Sequence, residues 1–371
     1  MEELSEKEMA VESFGCNDCG ADLKYKAGTT HLNCEYCGAN NDIPQINGVI
    51  EELDFHEFLE KKISSEEVIT ASFVNCISCG ASSTLENNIT SSECPYCASP
   101  LVIDDVKDSE VIKPKLLLPF KIDKKVAKDE FKTWVNKLWF APNDIKKSAL
   151  NFDHFKGVYT PYWTFDTDTN SEYIGQRGVH YYETQTYTTT ENGKSVTKTR
   201  QVKKTRWYTV QGNVNKFFDD ILTVASNSLP AKHIYNLEPW DLENLVPFDK
   251  SYLSGFIAER YQIGLSDGFE IAKDITDSQI RSLIKSDIGG DDQRIISVNT
   301  NYNNITFKHI LLPVYVCAFI YKEKLYRFLV NGRTGEIQGE RPYSWIKISL
   351  AILTIIALIL AIYLFAKYKN G

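Results

Sequence analysis

The sequence lacks several motifs by which enzymes can be recognised. It has no Gly-x-Ser-x-Gly nucleophile elbow and no His-Glu-x-x-His metalloprotease motif. Gly193-Lys194-Ser195 matches the end of a phosphate-binding P-loop, but Thr188 stands where the first glycine is required, and a hairpin tip is predicted there. The missing P-loop excludes an ATP-driven helicase, and we expect a protein that is not an enzyme.

Other candidate catalytic groups are few and scattered. Cys317 lies in an apolar stretch and is predicted to be a buried core thiol. Four histidines show no metal-binding spacing: His154, His180, His233 and His309. Three carboxylate pairs are Asp166/Asp168, Asp219/Asp220 and Asp291/Asp292. Turn-forming or aromatic residues flank each pair, so we expect caps and turns there rather than catalytic dyads.

Basic residues are scarce in the first 110 residues. This part holds 22 Asp and Glu against 6 Lys and Arg, a formal charge of −16. Residues 111–371 hold 35 Lys and Arg against 27 Asp and Glu, a charge of +8. The acidic N-terminal part argues against a single nucleic-acid-binding surface, because phosphate contacts need Lys and Arg.

Cysteine is nearly absent after residue 97 but concentrated before it. Eight of the nine cysteines form four Cys-x-x-Cys pairs: Cys16/Cys19, Cys34/Cys37, Cys76/Cys79 and Cys94/Cys97. The second set of four repeats the first at an offset of 60 residues, and 14 residues separate the two pairs in each copy. This pattern predicts a duplicated zinc ribbon, with ribbon 1 over 13–45, a helical linker over 46–71 and ribbon 2 over 72–105.

The chemistry of these ribbons predicts two structural zinc ions per chain. Four thiolates fill a tetrahedral Zn²⁺ site and leave no position for water, and the metal contributes on the order of 10 kcal/mol of folding energy. Gly20, Gly38 and Gly80 allow a positive φ after three of the pairs, whereas Ala98 predicts a strained or differently shaped fourth turn. A disulfide framework is the alternative, but the acidic N-terminus is unlike a signal peptide, so we expect reduced thiols in the cytosol.

The charge of the ribbons favours a protein partner over nucleic acid. Ribbon 1 has four acidic and two basic residues, and residues 72–104 have three acidic residues and no Lys or Arg. A zinc ion bound by four thiolates adds a further formal charge of −2 to each ribbon.

An amphipathic helix is predicted over 50–62 between the ribbons. Neither His31 nor His56 is needed as a ligand.

The C-terminal run Ile348–Ala366 predicts a membrane helix over 346–366. At about 1.5 Å per residue the run matches the thickness of a bilayer core. Trp345 and Tyr363 suit the two interfaces. We expect a single-pass protein of the cell membrane, with the N-terminal bulk in the cytoplasm and the short tail 367–371 outside. The basic body would then face the anionic leaflet, and the acidic ribbons would be held away from it.

The body, residues 110–344, is predicted to be an antiparallel-strand-rich α+β domain. We expect strands over 116–122 and 157–165, helices over 124–139 and 266–287, and a long hairpin with arms 171–189 and 195–210. A meander over 294–300, 304–309, 312–321, 325–330 and 335–338 follows, with Asn301-Tyr302-Asn303 as one of its turns.

The returning arm of the hairpin is rich in basic residues. Lys198, Arg200, Lys203, Lys204 and Arg206 form the best candidate contact for an anionic surface. Lipid headgroups and nucleic acid both suit it, and a charged edge that prevents strand pairing is the structural alternative. A membrane-tethered nucleic-acid-binding protein is therefore the second functional hypothesis.

Five short segments of the body are distinctive: Trp139-Phe140-Ala141-Pro142, residues 159–166, Glu238-Pro239-Trp240-Asp241, residues 287–291 and residues 330–335. With these segments the chain resembles the YdjG-like family of bacterial membrane-anchored zinc-ribbon proteins. The resemblance implies a membrane adaptor in envelope stress, with phage-shock-protein-A-like or flotillin-like cytosolic partners, and it implies no catalytic residues. Some members carry primosomal, helicase-like or TFIIB-type zinc-finger labels, but this chain has no motor motif to match a helicase label.

Overall fold

Short strands surround the cysteines in the N-terminal part of the chain. The computed structural model describes residues 14–44, 52–60, 68–84, 92–101, 106–144, 146, 155–191, 194–321, 324–341 and 343–369. The first nine strands are β1 Leu23–Tyr25, β2 His31–Cys34, β3 Asn40–Asp42, β4 Leu53–Asp54, β5 Val68–Asn75, β6 Ser82–Ser83, β7 Ser92–Glu93, β8 Pro100–Leu101 and β9 Val106–Ile112. β1–β3 form one antiparallel sheet, β5 pairs with β6 and β9, and β7 pairs with β8.

Three very long antiparallel strands build the main sheet. Its strands are β10 Leu116–Leu117, β11 Phe155–Glu191, β12 Lys194–Val224, β13 Val246–Pro247, β14 Ile257–Ala258, β15 Asp292–Tyr321, β16 Lys324–Asn331 and β17 Ile337–Gly339. β11 is central, with β12 on one side and β15 on the other. β15 also pairs with β16, β10 and β4, so a strand from the cysteine-rich part joins the main sheet.

Five α-helices occur within the described residues: α1 Phe55–Glu60, α2 Lys124–Lys137, α3 Ala231–Tyr235, α4 Leu265–Ile288 and α5 Trp345–Lys369. The Asp123 side chain caps α2 by accepting from the Val126 N–H. α4 buries Phe269, Ala272 and other apolar positions at helical spacing against β11, β12 and β15. It ends at Gly289, whose φ of 63° is typical of a helix-terminating glycine. The α+β class and both predicted body helices are confirmed.

The predicted hairpin is also confirmed, with longer arms than expected. β11 and β12 remain paired from Tyr162 and Val224 to Glu191 and Lys194. The tip residues 192 and 193 of the predicted turn lie outside the described part of the chain. The arms are longer than the sequence indicates because β15 and α4 cover the first half of the hairpin.

Three predictions about local structure are wrong. The segments 294–300, 304–309 and 312–321 form one strand, and Asn301–Asn303 pair with β11 instead of turning. Asn304 has a φ of 50° and takes up the irregularity as a β-bulge, which bends the strand without ending it. The strand predicted over 116–122 is only Leu116–Leu117. Of the helix predicted over 50–62 the structure describes residues 52–60, in which Leu53–Asp54 form strand β4 and Phe55–Glu60 form α1. Pairing of β4 with β15 takes those residues out of the helix.

The hairpin and α5 start at opposite ends of the main sheet. Beyond Gly178 no third strand pairs with β11 within the described residues, and β11 and β12 continue as a two-stranded ribbon. This free part, residues 179–191 and 194–206, is roughly 40 Å long at about 3.3 Å per residue. At the other end the Glu340 N–H donates to the Arg327 carbonyl, and the chain then begins α5 at Trp345.

The cysteine-rich units pack on the α5 end of the sheet. In the first unit the Tyr25 N–H donates to the Ser254 carbonyl and the Gly28 N–H to the Phe120 carbonyl, at 3.0 and 2.8 Å. In the second unit the Tyr96 carbonyl accepts from Arg327 Nε at 2.9 Å. Both acidic units therefore lie on the body near the end from which α5 starts, whereas the sequence-based expectation held the ribbons away from the membrane side. Apolar docking of these units on the body decides their position, and charge counts do not encode it.

Candidate metal centres, membrane helix and basic hairpin

Each Cys-x-x-Cys pair forms the same tight turn. The N–H of the first cysteine donates to the carbonyl five residues later, and the N–H four residues later donates back, with N···O distances of 2.8–2.9 Å in all four turns. Gly20, Gly38 and Gly80 have φ values of 74–78° at the last position. Ala98 has a φ of 59°, so the fourth turn keeps the shape of the others and places a Cβ in the left-handed region.

The eight cysteines form two groups of four, hereafter site 1 (Cys16, Cys19, Cys34, Cys37) and site 2 (Cys76, Cys79, Cys94, Cys97). Within each site all four sulfurs lie within 4.8 Å of one another. The shortest Sγ–Sγ distances, 3.5–3.6 Å, join Cys16–Cys37, Cys19–Cys34, Cys76–Cys97 and Cys79–Cys94. A disulfide has a sulfur distance of about 2.0 Å, whereas a zinc tetrahedron with bonds of about 2.3 Å has edges of about 3.8 Å. The geometry is compatible with two zinc ions.

Local hydrogen bonds lower the pKa of at least one thiol in each site, and in site 1 they act on Cys34 as well as Cys16. The backbone N–H groups of Asp18 and Cys19 lower the pKa of the Cys16 thiol to about 6. In site 2 the hydrogen bond from Cys94 lowers the pKa of the Cys79 thiol to about 5. The thiolate is the form that ligates a metal, so each site has a ready first ligand near neutral pH.

The two sites differ in exposure although their sequences are duplicated. Cys19 and Cys37 of site 1 are exposed, whereas three cysteines of site 2 are buried and the fourth is intermediate. Tyr36 and Tyr96 occupy equivalent positions 60 residues apart. Tyr36 is 88% exposed, and Tyr96 is completely buried. One copy of the turn is therefore used for packing on the body, and the other presents its aromatic residue to solvent.

A buried glutamate lies beneath site 2. Glu259 is 1% exposed, and Ser226 Oγ donates to its Oε1 at 2.5 Å. Burial raises the pKa of Glu259 to about 7, and the Tyr96 phenol is one of the groups around it. Nothing in the local sequence marks Glu259, because its neighbours Tyr96 and Ser226 come from distant segments.

α5 is a candidate membrane span. It runs for 25 residues, has a mean hydropathy of 2.9 over its most apolar window, and none of that window is buried against the rest of the protein. A core helix of this composition would be covered by other elements. The predicted apolar run is thus confirmed as one exposed C-terminal helix.

The free part of the hairpin sorts its side chains onto two faces. Cross-strand pairing places Lys198, Arg200, Lys204 and Arg206 on one face, because alternate residues of a strand share a face. We call this face the basic ladder. Lys203 pairs with Tyr182 and lies on the opposite face. The sequence prediction therefore grouped five residues of which the structure brings four together.

Two tyrosines of β11 lie beside cations of the basic ladder. The Arg200 guanidinium lies 5.6 Å from the ring centre of Tyr187, and that of Arg206 lies 5.1 Å from the ring centre of Tyr181. Lys204 forms an ion pair with Glu183. The cations of the ladder therefore have partners within the hairpin itself. These partners hold the side chains in place, so the ladder is an ordered surface and not a set of independent flexible side chains.

Members of two predicted carboxylate pairs, Asp166/Asp168 and Asp219/Asp220, belong to one polar cluster at the β11 bulge. Asp166 Oδ1 accepts from the Asp220 N–H at 2.6 Å, and Lys308 Nζ forms ion pairs with Asp220 and Glu52 at 3.0 and 2.7 Å. Burial, together with the hydrogen bond to Glu52, raises the pKa of Asp166 to about 7. Sequence reasoning missed Glu52 and Lys308 because they lie far apart in the chain. Carboxylates and an ammonium group satisfy one another here, which suits a structural role.

The remaining candidates take structural positions. Asp291 accepts from the His180 N–H at 2.7 Å, and Asp292 contacts His180 Nε2 at 2.6 Å, so this pair fastens the base of the free hairpin. His309 is buried against Trp163 and contacts the Ile112 carbonyl through Nδ1 at 2.8 Å. Cys317 is fully buried, as predicted. His154 lies outside the described residues.

The chain is similar in sequence to the uncharacterized protein YdjG of Bacillus subtilis (strain 168). The two are 27% identical over 336 residues, which is 90% of this chain and 91% of the relative. No protein-family model matches the chain. No solved structure matches it either. The likeness to YdjG therefore extends over the cysteine-rich part and the body alike.

Proposed function

We propose that this protein is a non-enzymatic membrane adaptor whose site 1 unit docks a cytosolic protein. The observation that carries this proposal is the contrast between Tyr36 and Tyr96. At the same position of the duplicated turn, Tyr96 of site 2 is buried against the body, whereas Tyr36 of site 1 is 88% exposed. An exposed tyrosine on a rigid turn is the kind of residue that forms the centre of a protein interface.

Two zinc ions give the docking surface its rigidity in this proposal. Each four-cysteine unit is a zinc ribbon, and the metal replaces the core that so few residues cannot build. Tyr36 directly precedes Cys37 in the chain, and Cys37 and Cys19 are the two exposed cysteines of site 1. The zinc–thiolate centre adds negative charge to an already acidic surface, so the fitting partner offers a basic or apolar patch.

α5 attaches this surface to the membrane. Its 25 residues span about 38 Å at about 1.5 Å per residue, enough for the bilayer core and both interfaces. The zinc thiolates require a reducing compartment, so the N-terminal bulk lies in the cytoplasm and the residues after α5 lie outside. The protein is then a single-pass membrane protein, with phage-shock-protein-A-like or flotillin-like proteins as the proposed cytosolic partners.

Proximity labelling in intact cells tests the adaptor role. A labelling enzyme fused to the N-terminus of the full chain is compared in wild type, Tyr36→Ala and Tyr182→Ala. Tyr182 is a matched control, because it is 65% exposed but lies on the hairpin. We expect Tyr36→Ala alone to lose specific labelled proteins. Identical labelling in all three chains contradicts docking through site 1.

The basic ladder favours a second candidate function, which is nucleic-acid binding. On one face of a ribbon that extends from the body, four cations of β12 lie beside Tyr181 and Tyr187 of β11, and this combination offers a single strand both phosphate contacts and rings for base stacking. The ladder lies at the opposite end of the sheet from α5, so it extends away from the membrane end.

Charge reversal separates the two functions. Arg200→Glu with Arg206→Glu changes the ladder, and Lys203→Glu on the opposite face is the control. If the second function holds, the double variant loses at least about tenfold in affinity for a labelled single-stranded oligonucleotide, and the control changes little. Absence of binding by the wild-type chain at physiological salt eliminates this function and leaves the adaptor.

A further inference from the structure

Two exposed aromatic residues lie beside the first turn of α5. Trp139 and Phe140 follow the C-terminal end of α2 and are 83% and 44% exposed. They contrast with Ala141, which is 3% exposed and packs into the core. A largely exposed tryptophan two residues from a buried alanine is an unusual use of apolar surface in a folded domain.

Hydrogen bonds fix this loop to α5. The Ser344 N–H donates to the Phe140 carbonyl at 2.7 Å. Lys347 Nζ donates to the Ala141 carbonyl at 2.7 Å, to Asn143 Oδ1 at 2.8 Å and to the Trp139 carbonyl at 3.3 Å. The loop therefore keeps a constant level relative to the start of α5 and moves with it.

The start of α5 carries exposed aromatic residues of its own. Tyr343 is 63% exposed and Trp345 is 80% exposed. With Trp139 and Phe140 they form a group, hereafter the aromatic collar, at one end of an apolar helix. Tryptophan and tyrosine rings favour the boundary between headgroups and acyl chains, where an apolar body and a polar tip are both solvated.

We propose that the aromatic collar inserts into the headgroup region of the bilayer that α5 crosses. The collar is continuous with α5, and this identifies lipid as its binding partner. A helix that enters the bilayer at Trp345 carries the loop at 139–140 to the same depth. The helix and the loop give the protein two points of contact with the membrane, and together they fix the orientation of the body. With the helix alone, the body could rotate freely. This inference rests on the proposed membrane anchoring.

Fluorescence quenching by brominated lipids tests the collar. The full chain is reconstituted into vesicles whose lipids are brominated near the headgroup end of the acyl chains. Trp139→Phe, Trp345→Phe and Trp207→Phe are compared with wild type. Trp207 is the matched control, because it lies on the hairpin, where it stacks with Arg294 at 3.8 Å. Circular dichroism checks that each exposed substitution leaves the fold intact.

The expected result is that Trp139→Phe and Trp345→Phe each remove roughly half of the quenchable emission, since both rings lie at the interface. Trp207→Phe should leave that component unchanged. Loss of quenchable emission in Trp345→Phe but not in Trp139→Phe overturns the collar and leaves the anchor standing. No quenchable emission from either residue overturns the anchor and the collar together. The vesicles contain no other protein. If the loop binds a protein partner in cells instead of lipid, only Trp345→Phe will therefore lose quenchable emission.

Discussion

Ala98 is the residue at which the duplicated turns depart from a common sequence. Three turns use glycine at a φ of 74–78°, and the fourth holds alanine at 59° with the same two hydrogen bonds. An L-residue in the left-handed region costs roughly 1 kcal/mol. The turn is retained because the sulfurs of Cys94 and Cys97 must meet the other pair, so the strain is balanced by the site it completes.

Ala98→Gly is therefore expected to stabilise the protein by less than about 1 kcal/mol, since glycine relieves the strain but its greater unfolded-state freedom offsets part of the gain. Ala39→Gly is the control. Ala39 directly follows the last position of a site 1 turn and has no positive φ, so glycine there should destabilise the protein slightly. Urea unfolding of the detergent-solubilised chain measures both. A destabilised Ala98→Gly variant would show that the turn is not strained.

Asp166 gives a pH-dependent prediction. Its pKa is raised to about 7 in the fold, mainly by burial, whereas the pKa of an unfolded aspartate is near 3.8. Its contribution to stability is complete below the unfolded pKa and is lost as the pH rises through the folded pKa, because the ionised form is disfavoured in the fold. Asp166→Asn keeps the acceptor for the Asp220 N–H and cannot ionise.

We expect Asp166→Asn to gain stability relative to wild type between pH 5 and pH 8. Glu52, whose pKa is lowered to about 2, does not change its charge in this window. Asp168→Asn, two residues along the same strand and hydrogen-bonded to Asn304, is the control for removing a carboxylate at this bulge. Urea midpoints at the two pH values give the comparison, and an unchanged difference between them would contradict a raised pKa at Asp166.

At the scale of elements, local patterns and long-range pairing contribute differently to what the sequence reveals. Helix α4 was predictable from its apolar spacing and from Gly289, and the hairpin from its alternation and turn residues. The Asn-rich segment 301–304 misled the prediction, because a bulge and a turn use the same residue types and only pairing with β11 distinguishes them. The burial of site 2 was not predictable, since Tyr36 and Tyr96 are the same residue type in matching positions.

This unequal burial predicts unequal consequences of losing each site. Cys97→Ser should lower the free energy of unfolding of the body by more than about 3 kcal/mol, because Cys97 and the adjacent Tyr96 are buried among residues of the main sheet, whereas Cys37 and the adjacent Tyr36 are exposed. Cys37→Ser, at the exposed edge of site 1, should release its metal and disorder mainly its own unit. Hydrogen exchange resolved by peptide distinguishes them. Equal loss of protection in β11 and β15 for both variants would be the contrary finding.

At the scale of the whole molecule, the sequence indicated the parts but not their arrangement. The charge split between residues 1–110 and the remainder suggested a basic membrane-facing side. The structure instead packs both acidic cysteine-rich units at the end where α5 begins and extends the basic ladder from the other end. Tyr25, in the short strand β1, and Tyr96, in a Cys-x-x-Cys turn, dock these units on the body, and no periodic pattern in the sequence distinguishes either residue from its neighbours.

The adaptor account depends on both four-cysteine sites holding metal as thiolates in the intact chain. Native mass spectrometry of the detergent-extracted protein measures this directly, because bound zinc and disulfides shift the mass in opposite directions. We predict two zinc ions per chain and nine cysteines without a disulfide, as the free thiols and 3.5–3.6 Å sulfur distances indicate. A folded chain that carries no zinc, or whose Cys-x-x-Cys pairs are oxidised, would contradict the account.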